Sequence, residues 1–388
     1  MSAKTLFNLD KNHHYLNCAF LSPLLKSVEK AGVEGVRMKG KPWEVEPEHF
    51  FADSDRVRSL FATLIHADDP ASIAIMPSVS YGMGTVAANL PERKTGKIVI
   101  VHEQFPSNVY PWKRLCNDRG WKLETVHPPE DFDGRGKRWN ERILEAIDHE
   151  TVLVALANVH WADGTRFDVK RIGEQCRNHD AYFVIDGTQS VGALSFDIQK
   201  VKPDALICAG YKWLFGPYGL ALGYFGERLS EGVPLEEGWI ARKDSRDFAG
   251  LVNYQDEYEP GAIRFDMGER SNFITLPMMA AALEQVLKWT PEHIQTYCDD
   301  LCKNYIEKWK QHGYGFRIEE REWRGAHLFG IRLPDTVPVD DLKRRLKNRN
   351  VHVSVRGSAV RVAPHLYNEK KDIQALHEVL MNIHQIRS

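Results

Sequence analysis

Apolar and polar positions along this chain follow two periods. Short runs of apolar, β-favouring residues at 73–77, 97–101, 121–126, 151–157, 182–185 and 205–208 each stop at polar or small residues. Such runs read as strands of a parallel sheet buried on both faces. The run 220–225 reads as a further strand that runs back. Between the strands, apolar residues recur at helical spacing. This predicts helices over 24–40, 53–65 (Val57, Leu60, Phe61 and Leu64 on one stripe), 78–90, 170–179, 276–289 and 293–312. Residues 131–140 read as a polar loop before a helix near 141–147. Residues 232–257 read as a charged, irregular loop at the mouth of a site. Beyond residue 290 the pattern predicts strands at 316–319, 327–333 and 351–355 and helices at 339–348 and 370–382. Strands alternating with helices predict an α/β fold. The expected division is an N-terminal arm over 1–20, a large domain over 21–290 and a small C-terminal α+β domain over 291–388.

Two of the strands end on chemistry. Ligands of α/β sheets sit in the crevice outside the carboxyl ends of the strands. The strand 182–185 ends at Asp186, and the strand 205–208 ends just before Tyr211 and Lys212. One carboxylate and one amine are thereby expected on the rim of one crevice. Singly, Asp186 reads as a turn cap and Lys212 as a solvated lysine. Together, ahead of Gly216-Pro217-Tyr218-Gly219, they read as a pair. Pyridoxal phosphate requires such a pair: a lysine for its aldehyde and an acid that keeps its ring nitrogen protonated. Ser78-Val-Ser-Tyr-Gly-Met-Gly opens the helix at 78, where backbone N–H groups and the helix dipole favour an anion. Ser78 is equally an ordinary N-cap. Arg361, on a short strand, suits a bidentate grip on a carboxylate. Arg356 is a second candidate, and a salt-bridged surface arginine is the plain alternative.

Composition narrows the class. The chain has 388 residues, with Lys+Arg 51 against Asp+Glu 53 and a net charge of −2. No block of like charge suggests nucleic acid or an anionic membrane as a partner. There is no apolar run long enough for a membrane span and no signal-peptide h-region near the N-terminus, so a cytoplasmic protein is expected. The six cysteines are scattered, and Cys298 and Cys302 lack a second pair that would make a zinc site. No metal is expected.

Asp186-Gly-Thr-Gln189 and Ala209-Gly-Tyr-Lys212 with Gly216-Pro217 resemble the class V aminotransferase family of pyridoxal-phosphate enzymes. That family includes cysteine desulfurases, selenocysteine lyases, kynureninases and isopenicillin N epimerase. The resemblance runs over about residues 15–367. It implies the type I fold of pyridoxal-phosphate-dependent transferases, a large domain with a mixed, mainly parallel sheet. It implies pyridoxal 5′-phosphate on Lys212, with Asp186 at the ring nitrogen. It also implies Ser78, Val79, Ser80 and Tyr211 at the phosphate, Phe105 stacked on the ring, and Gln189 at the phenolic oxygen. Asn272 would reach the phosphate of the partner subunit in a homodimer with shared active sites. Arg361 would hold the substrate α-carboxylate, with Asn17, His160 and Trp161 around the substrate. At about Trp161 the family carries Asn or Tyr, so Trp161 is expected to shape the pocket instead. His160 reads equally as a structural histidine, Asn17 as part of a packed arm, Phe105 as core, and Arg264 and Arg270 as salt-bridging residues.

The resemblance further implies an amino-acid substrate processed through an external aldimine, with freed Lys212 as the base for the Cα proton. Cysteine desulfurases present a cysteine shortly before the C-terminal arginine. Here Arg356-Gly-Ser-Ala-Val-Arg361 contains none, and no cysteine follows Cys302. A persulfide route is therefore not expected. The expected reaction is that of a β-lyase on a cysteine-, selenocysteine- or kynurenine-like amino acid. Aminotransferase, epimerase and a catalytically silent cofactor-binding sensor remain the alternatives.

Overall fold

The computed structural model describes residues 3–311 and 315–383. Strand β1 (His14–Tyr15) lies in the N-terminal arm. The main sheet takes β2 (Ile73–Met76), β3 (Lys97–Val101), β4 (Lys122–Val126), β5 (Thr151–Ala157), β6 (Tyr182–Asp186), β7 (Ala205–Ala209) and β8 (Ala221–Phe225) in the order β2-β8-β7-β6-β5-β3-β4. The five strands from β7 to β4 are parallel, and β8 runs antiparallel to both of its neighbours. This is the α/β fold with a mainly parallel, mixed sheet that the sequence predicts.

The unbroken apolar runs have a direct cause. Successive side chains of a strand point to opposite faces, and both faces are covered. Phe183 and Ile185 of β6, with Leu206 and Cys208 of β7, enter one core. Val184, Ala205 and Ile207 enter the other. The first core is closed by helices Lys26–Met38, His49–Ile65 and Thr275–Trp289, the second by Val79–Ala88 and Tyr110–Arg119.

A smaller three-stranded antiparallel sheet, in the order β11-β12-β9, comprises β9 (Phe329–Arg332), β11 (Ser354–Arg356) and β12 (Ala359–Val362). Between β9 and β11, strand β10 (Val351–His352) pairs instead with β1 of the arm. A third core joins this sheet to helices Pro291–Gln311, Val339–Asn348 and Lys370–Asn382. Among the described residues no helix is long and apolar enough to cross a membrane.

Four expectations are corrected. The helix placed near 141–147 begins at Arg135 and runs to Glu145. Its buried face is Arg135, Trp139, Asn140 and Ile143, and the two polar members are satisfied by Glu319 and by backbone carbonyls. Residues 316–319 make a single bridge, Arg317 to Arg332, because Glu319 turns away to accept from Gly136 N. The strand 351–355 splits at Val353 into segments with different partners, and the strand 327–333 shortens to Phe329–Arg332. A helix at Tyr110–Arg119 was not foreseen; only Trp112 and Cys116 mark its buried side. The helix expected to reach residue 312 is described to Gln311, and residue 312 lies outside the described residues.

Candidate active site

A cavity of about 200 Å³ opens at the carboxyl edge of the main sheet. Its floor is formed by the ends of β5, β6 and β7. Its walls carry Asp186, Lys212, Phe105 and Trp161, and one end is the N-terminus of helix Val79–Ala88.

Asp186 is the last residue of β6 and is 6 % exposed. Its Oδ1 accepts from Thr188 N at 3.0 Å, and among the described residues it forms no salt bridge. Burial pushes its carboxyl above the usual range, against the hydrogen bonds of Thr188 and the charge of Lys212. Thr188 also ties the two strands, its Oγ1 accepting from Ala209 N at 3.1 Å.

Lys212 follows β7 and is 7 % exposed. Its Nζ stands 5.5 Å from the centroid of the Phe105 ring. Burial lowers its pKa to about 8; Arg361 and Arg356 push the same way and Asp186 opposes them.

Ser78 caps helix Val79–Ala88, its Oγ accepting from Tyr81 N and lying 2.9 Å from Ser80 Oγ. Ser78, Val79 and Ser80 all line the cavity, so the helix end presents its free N–H groups there. Tyr211 lines the same wall, its ring 4.5 Å from that of Tyr218.

Gln189 is held on three sides. Its Oε1 accepts from Trp213 Nε1, its Nε2 donates to the Ala19 carbonyl, and its own carbonyl lies 2.8 Å from His327 Nε2. Gln189 lines the cavity, and its Nε2 carries one N–H beyond the bond to Ala19. Phe105 meets Trp161 edge-to-face at 5.4 Å, and Trp161 Nε1 donates to the Glu103 carbonyl at 2.6 Å.

His160 also lines the cavity and is 2 % exposed. Its Nε2 is 3.1 Å from the His102 carbonyl, and its Nδ1 is 3.3 Å from Asp163 Oδ1. Asp163 is buried against Arg135 and Arg332. Burial works against its charge, but His160, Arg135 and Arg332 outweigh it and hold the carboxyl well below the usual range. Gly164 closes this turn with φ +77°, and a Cβ there would stand 2.4 Å from the Leu328 carbonyl. Only glycine is accommodated without displacement.

Arg361 lies on β12 and is 2 % exposed. It donates to the Trp161 carbonyl at 2.7 Å and to Ser354 Oγ at 3.3 Å, and Ser354 Oγ donates to Asn17 Oδ1. Its Nε has no partner, and no acid pairs with it among the described residues. Burial lowers its pKa to about 10, and Arg356 adds to the shift.

Asn272 stands apart from this group. It is exposed, and its Oδ1 accepts from Ile274 N and Thr275 N at the start of helix Thr275–Trp289. Arg270 and Arg58 bracket the buried Asp266, and Arg264 pairs with Glu231. The segment 232–257 contributes no residue to the cavity wall. Three residues that shape the site escaped the sequence reading. Thr188 sits inside the Asp186-Gly-Thr-Gln189 motif and was legible there. Ser354 and His327 act through pairings that only the fold reveals. Among the described residues no cluster of His, Cys, Asp or Glu could hold a metal ion.

Comparison with known proteins gives the same picture. The family model described as Aminotransferase class-V matches residues 47–376. The uncharacterized aminotransferase YcbU of Bacillus subtilis is 27 % identical over 386 residues, covering 97 % of this chain and 96 % of its own. A probable cysteine desulfurase of Methanothermobacter thermautotrophicus is 26 % identical over 325 residues, 80 % of this chain and 79 % of its own. Among solved structures, the cystine C-S lyase C-DES in complex with its product cysteine persulfide superposes with a TM-score of 0.83. It has 17 % identity and covers 96 % of this chain and 98 % of its own. Apo cysteine desulfurase from Thermococcus onnurineus NA1 gives 0.81, with 19 % identity over 99 % and 98 %.

Proposed function

Because the chain belongs to the class V aminotransferase family and is a pyridoxal 5′-phosphate-dependent enzyme, a lyase or an aminotransferase, we propose that it removes a β-substituent from an amino acid in this cavity. The observation that carries the reading is the pairing of buried Asp186 and buried Lys212 at the ends of adjacent parallel strands. The residues present fit the cofactor. A buried carboxylate without a salt bridge faces the cavity, a helix N-terminus closes one end, and an aromatic face stands beside a buried amine.

When bound, pyridoxal phosphate supplies a sink for the electron pair released at the substrate Cα. Asp186 keeps a proton on the ring nitrogen by offering it a buried negative charge. Ser78, Val79, Ser80 and Tyr211 would hold the phosphate through hydroxyls and free N–H groups. Phe105 would cover the ring, and Gln189 would donate to the phenolic oxygen. Lys212 would hold the cofactor's aldehyde, and its lowered pKa would suit the free amine to act as the base for the substrate Cα proton. Arg361 grips the α-carboxylate, and Ser354 and Asn17 hold that arginine in place. Trp161 closes the substrate side. His160 is a positioning residue that anchors the turn bearing Trp161.

All six cysteines are buried and none follows Cys302. The leaving group therefore departs without passing to a protein thiol. Transamination is the second reading, favoured by the aminotransferase name of the relative that spans nearly the whole chain. Pyruvate, ammonia and released thiol formed without a keto-acid acceptor support the lyase. A product that appears only with an acceptor overturns it.

The working unit in this reading is a homodimer in the cytoplasm, divided internally near residue 290, with Asn272 crossing to the phosphate of the partner. Mixing Lys212→Ala and Asn272→Ala subunits then restores activity through hybrids with one intact site. A fully active monomer refutes it.

A further inference from the structure

The charges around the cavity do not balance. Lys212, Arg356 and Arg361 bring three cations close together, and among the described residues Asp186 is the carboxylate that acts on the charge of Lys212. Neither arginine forms a salt bridge among the described residues. Arg356 donates one N–H to the carbonyl of its own neighbour Val355, at 3.1 Å, and its Nε is buried without a partner. Its guanidinium stands 5.5 Å from the centroid of the Trp161 ring, a cation–π contact that supplies no anion to the charge.

The register of the hairpin places both arginines on one face. Ser354 is paired directly with Arg361, and directly paired residues share a face. Arg356 lies two residues beyond Ser354, so it points the same way. Diagonal neighbours of this kind are about 7–8 Å apart, within reach of long side chains. Trp161 joins the two: its carbonyl accepts from Arg361, and its ring lies under Arg356 while lining the cavity. The buried Arg361 and the half-buried Arg356 flank the cavity behind Trp161, and two guanidinium groups this close without an acid are unfavourable unless a ligand brings anions to them.

We infer that the substrate is an amino acid whose side chain carries a second carboxylate, held by Arg356 while Arg361 holds the α-carboxylate. This rests on the proposed role of Arg361 and extends it to the class of substrate. The fork geometry of arginine suits a planar carboxylate at both ends. Trp161 supplies the apolar surface on which the intervening methylenes pack.

The test uses the pyridoxal-phosphate-loaded enzyme and ligands that lack the reacting amine. Calorimetric titration compares succinate and glutarate with butyrate. At least one dicarboxylate is expected to bind tenfold or more tightly than butyrate. Arg356→Gln should remove that advantage while leaving the butyrate Kd within twofold, and Arg356→Lys should keep part of it. Arg361→Gln should weaken butyrate and dicarboxylates alike. If neither dicarboxylate outbinds butyrate, or if Arg356→Gln retains the advantage, the inference is overturned with the reading of Arg361 intact. Butyrate binding unaffected by Arg361→Gln overturns both.

Discussion

The amine of Lys212 should react as a neutral group at a pH where ordinary lysines do not. Burial, with Arg361 and Arg356 beside it, lowers its pKa from 10.5 to about 8. At pH 7 the neutral fraction rises from about 0.03 % to about 9 %, a gain of roughly 300-fold, equivalent to about 3.4 kcal/mol at 1.36 kcal/mol per unit. The perturbations are single charges. Arg361→Gln or Arg356→Gln removes a cation that disfavours the ammonium, so the pKa should rise. Asp186→Asn removes the anion that favours it, so the pKa should fall. The assay is the rate at which apoprotein takes up pyridoxal phosphate, followed by stopped-flow absorbance from pH 6 to 10. Wild-type protein should gain tenfold per pH unit below about 8 and level off above. The two arginine variants should break at higher pH and the Asp186 variant at lower pH. A wild-type rate that still climbs tenfold per unit at pH 9.5, or breaks that do not move with these charges, refutes the reasoning.

Acid should weaken the fold through His327 and His365. Burial lowers their pKa values to about 4 and about 3, from the ordinary 6.5. The unfolded chain then binds these protons first as pH falls. Stability is complete above about pH 6.5 and drains toward pH 4 and 3, by about 2 kcal/mol per histidine at pH 5. Urea titrations at pH 7 and pH 5 read this, and His365→Phe, which keeps the box of Trp213, Phe215, Trp289 and Tyr367 filled, should lose about 2 kcal/mol less than wild type; an unchanged pH dependence counts against it. Asp266→Ala should cost about 3–5 kcal/mol, because it leaves Arg58 and Arg270 as buried charges without their acid. A loss under about 1 kcal/mol in the same titration would contradict that account. Borohydride reduction followed by peptide mapping should mark Lys212, and a mark on another lysine would displace it from its role.

Legibility in the sequence followed how local the cause was. Strands Lys97–Val101 and Thr151–Ala157 and helices Val339–Asn348 and Lys370–Asn382 were readable to the residue. Their apolar runs and polar stops lie within the segment itself. Asp186 and Lys212 were readable because strand ends and polar residues coincide. The start of helix Arg135–Glu145 was placed too late because its first buried residue, Arg135, is closed by an ion pair with Glu319, 184 positions away. The support of Arg361 by Ser354 depends on hairpin register, and the hold of His327 on Gln189 depends on how β9 approaches the main sheet. No pattern inside either segment announces these contacts.

The N-terminal arm carries a consequence for how the protein comes into being. Strand β1 pairs with β10, Leu16 and Cys18 exchange backbone hydrogen bonds with Ala363, and Ala19 holds Gln189. His14 leaves the ribosome about 340 residues ahead of its partner Val351, an interval of roughly 17–70 s at about 5–20 residues per second. For all that time the arm has no sheet to join, and Asn17 has no Ser354 to steady. The main sheet can close around Asp186 and Lys212 well before this seam does. Closure of the arm onto the small sheet is thus a late event in biosynthesis, set by the arrival of the last hairpin, while the arm waits as a tether beside a nearly finished main sheet.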